Sequence, residues 1–425
     1  MTTTETAATP PVPLRRNANF IRLWIGAGMS HIGSTLGMTA FPLLALWTTG
    51  SATLTGLVAF ASSLPTILVQ LPAGAIVDRW DRRKLMLCWD TIGAIAIASV
   101  ALAVAFDHVW IPHLMLAAFL ESTRGIFYDL AERATVRNVV PAVQLSTALA
   151  QNEARGSTIG LLGQPIAGYL FTVTRWLPFL ASAIADVIAI ISVLLIRKSF
   201  KPPRATERRP IHVEIGEGIR WIWQERFARV LIALFAGSNF VFQIVFLSVM
   251  VIVHGNNQSP SLVGIITAVG GIGGLAGALS APRITKRFSF RATWIVGFAL
   301  WTLLIPLVAI VRDPLLLGLM YAGNSMVGGV FNVAGWTFQV QNTPDKLQGR
   351  VNATARFLCS GANSLAGLLG GFLLDRIGVT WTGTLLGAGV LVLLVTTITS
   401  ASMRAKPPSV DVSEEEEEEE QEAKA

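Results

Sequence analysis

The chain has 425 residues, of which 52% are hydrophobic and only 14% charged, and its formal net charge is +7. Soluble domains carry about a quarter charged residues, so this composition excludes an ordinary water-soluble globule and points to a chain that crosses a membrane many times. The basic residues are scattered over many loops, which excludes a nucleic-acid-binding face as the reason for the positive charge.

A helix needs about 20 apolar residues to cross roughly 30 Å of hydrocarbon. Twelve stretches meet that need, near 20–48, 53–77, 85–106, 109–131, 148–172, 177–196, 230–253, 262–281, 292–311, 315–338, 351–374 and 380–402. They divide the chain into an N-terminal tail (1–19), a first six-helix half (20–196), a linker (197–229), a second six-helix half (230–402) and an acidic tail (403–425). The tail's "SEEEEEEEQEAKA" repels itself and is expected to be disordered. The first apolar run is too long for a signal-peptide core, so span 1 is expected to insert as its own signal. Outside the spans, Lys and Arg fall in the tails and in every second loop, with only Arg175, Arg312 and Arg376 in the opposite set. The positive-inside rule then puts both termini in the cytoplasm.

In chain order, span 1 carries His31, which titrates near neutrality when unperturbed; it is either a switch or a hydrogen-bonded packing residue. The loop after span 2, "GAIVDRWDRRKLML" (74–87), joins two acids to four bases. Simple anchoring by bases does not explain the acids. Asp78, at the cytoplasmic end of span 2, can meet the positive N-terminus of a neighbouring helix, while Arg79, Arg82 and Arg83 can bridge helix ends and lipid phosphates. Asp90, near the same end of span 3, is expected to partner loop arginines.

Span 4 runs inward, so Glu121 lies about 12 residues, or roughly 18 Å, below the outer edge. Arg124 follows one turn further on the same face. Span 5 brings Glu153 and Arg155 to the depth of Arg124 and Asp129. The expected pairs are Arg124 with Glu153 and Asp129 with Arg155, forming either a neutral structural network or part of the working machinery. Asp186 lies near mid-depth in span 6.

In the linker, "EIGEGIRWIWQERF" spaces Ile215, Ile219 and Ile222 as a helix face, with Trp221 and Trp223 nearby, and reads as an amphipathic helix on the membrane surface. Span 7 carries Asn239 and Gln243 at i,i+4 and span 10 carries Asn324; these amides either line a cavity or bind helices together. The glycine run "VGGIGGLAGAL" (269–279) has no flanking strand and reads as a helix-packing surface. Cys88 and Cys359 both fall inside spans, so no disulfide framework, metal site or cofactor is expected. Neither a nucleophile–base constellation nor a P-loop occurs, so the chain is not expected to be an enzyme.

The two halves repeat. "IVDRWDRR" (76–83) realigns with "ITKRFSFR" (284–291), and "RGIFYDLA" (124–131) with "VGGVFNVA" (327–334). Six spans per copy give both copies the same orientation, a parallel repeat with a central site.

Twelve spans in two parallel sixes, with G-x-x-x-D-R-x-x-R-R formed by Gly74, Asp78, Arg79, Arg82 and Arg83, resemble the major facilitator superfamily. "NANFIRLWIGAGMSHIG" and "EGIRWIW" are similar to its drug- and siderophore-exporter branch, which includes macrolide efflux proteins and the enterobactin exporter. Two places depart from that branch: Ser34 and Thr35 stand where an acid is frequent, and Gln164 precedes Pro165 in span 5. The resemblance implies an all-α membrane protein with the major facilitator fold. It implies a monomer in the cell's inner (plasma) membrane that exports a small amphipathic organic compound by alternating access, driven by protons. Its partners would be that substrate, protons and the lipid bilayer. Spans 1, 4, 7 and 10 line the cavity in this family, which makes Glu121 the foremost proton-coupling candidate, with His31 and Asp186 behind it. Asn239, Gln243 and Asn324 become substrate-cavity candidates, and the Asp78 loop a latch favouring the outward-facing state. Metabolite uptake and a transport-inactive receptor or scaffold stand as alternatives.

Overall fold

The computed structural model describes residues 13–196, 200, 211–401 and 403. The start of the N-terminal tail, most of 197–210 and the acidic tail lie outside them, as do the expectations made there. The helices are α1 (Ala18–Thr49), α2 (Ala52–Leu68), α3 (Gln70–Val77), α4 (Arg82–Ala105), α5 (Ile111–Val139), α6 (Leu145–Val173), α7 (Leu177–Leu194), α8 (Ile211–Gln224), α9 (Arg226–Gly255), α10 (Pro260–Arg287), α11 (Phe290–Ile310), α12 (Pro314–Gln341) and α13 (Asp345–Thr399). Among the described residues there is no strand. Helices satisfy their own backbone groups, which a bilayer interior requires.

Local chemistry sets the helix starts. Proline opens the first turn of α5, α7, α10 and α12, where its missing N–H has no partner to lose. The side chains of Asp81, Ser259, Ser289 and Asp313 accept from the free N–H groups that begin α4, α10, α11 and α12. Gly378, at φ 76°, breaks α13 into two arms in a conformation that glycine adopts without strain. Among the described residues, seven helices are long and apolar enough to cross a membrane: α4, α7, α9, α10, α11, α12 and α13, the last counted once across its break.

Several boundaries differ from the hydropathy reading, those of α5 and of the 53–77 stretch most of all. The stretch expected as one span over 53–77 is broken at Val69 into α2 and α3. The span expected to end at 131 continues as α5 to Val139, because polar Glu132, Arg133 and Arg137 do not interrupt a helix that has no breaker before Pro141.

The described residues group into two units. One lies within Met1–Leu44 and Leu68–Glu207, the other within Ala45–Ile67 and Arg208–Ala425. In the first, α4 packs against α5 and α7. Trp89 stacks on Phe127 at 4.6 Å over a core that includes Leu23, Met86, Ala131 and Val193. Arg83, in the first turn of α4, donates to the carbonyls of Val193 (3.3 Å) and Leu194 (2.8 Å) at the end of α7.

In the second unit α10 packs along α12, and α13 along α9 and α11. A Cβ on Gly273, Gly277 or Gly329 would run into the backbone of Ala322, Met326 or Gly274, so the glycine run lets α10 and α12 approach backbone to backbone. Trp294 stacks on Phe331 at 4.3 Å, with Phe298 at 5.0 Å from the same ring. Arg291 opens α11 and donates to the carbonyls of Thr397 and Ile398 at the end of α13. The sequence repeat aligns Arg291 with Arg83, and the two make the same contact. On α8, Ile222 is buried against Ile232 and Val351 while Ile219 and Trp223 are exposed, so Ile219 and Ile222, expected on one face, are not buried alike.

Candidate functional site: a buried arginine and three carboxyls

Arg124 is fully buried in the first unit, and a wholly buried guanidinium requires anions around it. From α5 it donates through Nε to Glu121 Oε2 at 3.0 Å and through Nη2 to Glu121 Oε1, one turn back on the same helix. From α4, Asp90 Oδ1 accepts from Nη1 at 3.1 Å. From α7, Asp186 Oδ1 stands 3.4 Å from Nη1. From α1, Ser30 Oγ, Ser30 O (3.1 Å) and Ser34 Oγ (2.7 Å) complete the shell. Gly93 of α4 makes the room: a Cβ there would overlap Cδ of Arg124. Three carboxyls thus share one cation in a deeply buried site. Among the described residues, Asp90 Oδ2 and both oxygens of Asp186 have no hydrogen-bond partner.

Beside this cluster lies a cavity of about 570 Å³. Ser30 and Ser34 line it, so the serines that bond Arg124 also form the cavity wall. Exposed His31 lies on that wall, together with Asp129, Glu132, Glu153 and Arg155. Arg155 of α6 donates through Nη2 to both oxygens of Glu132 at 2.8 and 3.1 Å. Its Nη1 donates to Trp24 O at 3.0 Å, and its guanidinium lies 5.7 Å from the Trp24 ring centre.

The expected pairings are therefore corrected. Arg124 does not reach Glu153: it is turned to the α1–α4–α7 side, where three acids hold it. Arg155 takes Glu132 instead of Asp129, because α5 continues past residue 131 and presents Glu132 buried on the α6 side. Asp129 pairs with Arg133 one turn on, at 3.2 Å on an exposed face. Glu153 is exposed and forms no ion pair among the described residues. Asp90 belongs to Arg124 rather than to the loop arginines, since Arg82 donates to Ala134 O (3.2 Å) and Arg83 to the end of α7. In the 74–83 loop, Asp78 caps α3 with its N–H bonded to Gly74 O, and Arg79 is exposed.

In the second unit, a cavity of about 400 Å³ is lined by Phe235, Phe242, Trp301 and Phe331, with Asn239 and Asn332 as its amides. Asn239 is the one expected cavity amide found there. Gln243 is half-buried and does not line it. Asn324 is buried in the packing; its Nδ2 donates to Met320 O (3.0 Å), its backbone carbonyl accepts from Trp301 Nε1 (3.0 Å), and its Oδ1 has no partner. No group of residues suited to hold a metal ion occurs among the described residues.

Sequence reasoning missed Glu132, Gly93 and Ser30. Glu132 could have been found by extending the span-4 helix to Pro141, which places a third acid one turn below Asp129. Gly93 and Ser30 carry no signal of their own, being ordinary small residues in apolar helices.

The backbone is similar to that of a bacterial homolog of the human lysosomal transporter Spinster, solved in an inward-facing and occupied conformation. The TM-score is 0.70 and the identity 14%, over 93% of this chain and 98% of that one. Fold and site together define a multi-pass helical membrane transporter of the major facilitator type, not an enzyme. Within that class, the chain belongs to the transmembrane secretion effector family, whose model matches residues 8–424. Among curated proteins it is similar to the multidrug efflux pump Tap of Mycolicibacterium fortuitum, 26% identical over 86% of this chain and 91% of that protein. It is also similar to macrolide efflux protein A of Streptococcus pyogenes, 28% identical over 50% of this chain and 54% of that protein.

Proposed function

We propose that this protein is a proton-coupled exporter of small amphipathic organic compounds, acting by alternating access as a monomer in the cell's inner membrane. The Arg124 cluster carries the reading. Ionisable groups in a membrane interior are costly and mark function by default. Three carboxyls around one guanidinium hold two negative charges in excess when all are ionised, a state that burial disfavours. Such a cluster binds a proton readily and releases it when water enters. It contains Glu121 and Asp186, and His31 faces the adjoining cavity. The names of the relatives support drugs as cargo, macrolides among them.

Twelve spans with both termini in the cytoplasm is the topology that fits. The two arms of α13, together with α1, α2 with α3, α5 and α6, add to the remaining clear apolar helices to make that number. Helices α5 and α6 are less apolar because they carry the charges described above. The 74–83 loop, with Asp78 and its arginines, serves as a conformational latch.

The reading is tested with the purified full chain in liposomes, using a panel of amphipathic compounds headed by macrolides. Movement of a compound against its gradient on imposing a proton gradient, abolished by a protonophore, is expected. Equal movement with and without the proton gradient would remove proton coupling, and no movement of any compound would favour a receptor or scaffold.

A further inference from the structure

We infer that the proton held by the Arg124 cluster rests on Asp186, with Glu121 kept ionised as the fixed counter-ion of Arg124. Its consequence for transport rests on the reading of the chain as a proton-coupled exporter; the position of the proton is a property of the resting protein. The expectation drawn from span position had favoured Glu121.

The three carboxyls share the guanidinium unequally. Glu121 accepts from Nε and Nη2 through both oxygens, the two-pronged geometry that best stabilises a carboxylate. Asp90 accepts one bond, at 3.1 Å, through one oxygen. Asp186 is 3.4 Å from Nη1, and neither of its oxygens has a hydrogen-bond partner. Asp90 and Asp186 are both completely buried. A buried carboxylate is tolerated when hydrogen-bonded and paired, and Asp186, paired at the longest distance of the three and hydrogen-bonded at neither oxygen, is the one a proton neutralises most favourably.

The surroundings offer Asp186 nothing else. Arg124 and Glu121 face it from α5 and Asp90 from α4. On its own helix, Ser182 donates to Gly33 O of α1 at 2.9 Å instead of to Asp186. A Cβ on Gly33 would stand 2.8 Å from Asp186 Oδ1, so α1 lies closed over the carboxyl. The same stretch of α1 carries Ser30 and Ser34, which separate the cluster from the cavity. A shift of α1 at this wall lets cavity water reach the cluster. The O–H bond on Asp186 then breaks, the proton passes to water, and the cluster goes from one excess negative charge to two. Arg124, already within ion-pair distance, holds the new carboxylate until a proton returns.

The test is infrared spectroscopy of the full chain in lipid near neutral pH, with carbon-13 placed in the carboxyl of either all aspartates or all glutamates. A protonated-carboxyl C=O band that shifts with aspartate label, stays with glutamate label and is lost in Asp186→Asn is expected. A band that shifts with glutamate label, a band unaltered in Asp186→Asn, or no such band in the unsubstituted protein overturns the inference. The labelling arm stands even where Asp186→Asn fails to fold. In liposomes, Asp186→Asn should lose gradient-driven efflux and keep downhill exchange. If the unsubstituted chain is gradient-driven and Asp186→Asn still pumps uphill, the inference fails while proton coupling stands. If the band is on Asp186 but transport ignores the gradient, proton coupling fails and the position of the proton stands.

Discussion

Arg155 of α6 grips both carboxylate oxygens of Glu132 of α5, at 2.8 and 3.1 Å, with about nine-tenths of each side chain buried. Removing one member of a buried pair strands the other, at a cost of about 3 kcal/mol. Arg155→Ala should therefore lower the melting temperature of the detergent-purified protein sharply. The double change Arg155→Ala with Glu132→Gln should recover most of the loss, because no charge is left stranded. Losses that simply add would show that the two residues are not coupled. Asp129→Asn in the Arg155→Ala background should recover nothing.

Gly93 leaves the space that the Arg124 side chain fills. Gly93→Ala should push the guanidinium off its three acids, reducing both thermal stability and transport, and Gly93→Val should be worse. Gly160 of α6 has open space where a Cβ would go, so Gly160→Ala serves as the matched control and should leave both properties unchanged. Equal behaviour of the Gly93 and Gly160 variants in melting and transport assays would contradict the placement of Arg124.

Asp375 accepts from the N–H groups of Ala52 (2.8 Å) and Thr53 (2.7 Å) and from Ser51 Oγ (2.7 Å), capping the start of α2 from α13. Losing such a cap costs about 1 kcal/mol. Asp375→Ala should speed hydrogen exchange at the first amides of α2, with Asp375→Asn intermediate. Unchanged exchange in both variants would mean that the cap contributes nothing.

The 74–83 loop separates packing from switching. No atom lies near the position of a Cβ on Gly74, so Gly74→Ala should not perturb folding. If the loop is a latch, Asp78→Asn should lower transport and shift cysteine labelling toward the inward-facing state while the protein still inserts and melts normally. A defect confined to topology would leave anchoring as the loop's only role.

The membrane class and the helical segments were legible because they rest on composition and period, which survive any error of a few residues. Arg83 and Arg291, which the sequence repeat aligns, both donate to the closing carbonyls of a helix, α7 and α13, a contact the sequence did not announce. The charge pairing was not legible. Depth along a helix can be read from residue count, but the face that a side chain presents depends on the rotation of the helix, which sequence position alone does not give. Arg124 and Arg155 were accordingly assigned the wrong partners. Glu132 was missed because a hydropathy window ended the span where polarity rose, although the helix itself continued. Asp186 was ranked behind Glu121 because of its span, whereas its carboxyl lies 3.4 Å from Arg124 of α5 and close to Gly33 of α1.

The measurement closest to the central claim follows substrate and protons together in liposomes containing the full chain. A panel compound is loaded at equal concentration on both sides, a proton gradient is imposed, and compound movement and internal pH are recorded at once. The account predicts net movement of compound against its rising gradient, with protons moving the opposite way in step, both abolished by a protonophore and both lost in Asp186→Asn while downhill exchange persists. Uphill movement with no accompanying proton flux, or movement that is the same without the gradient, would contradict it.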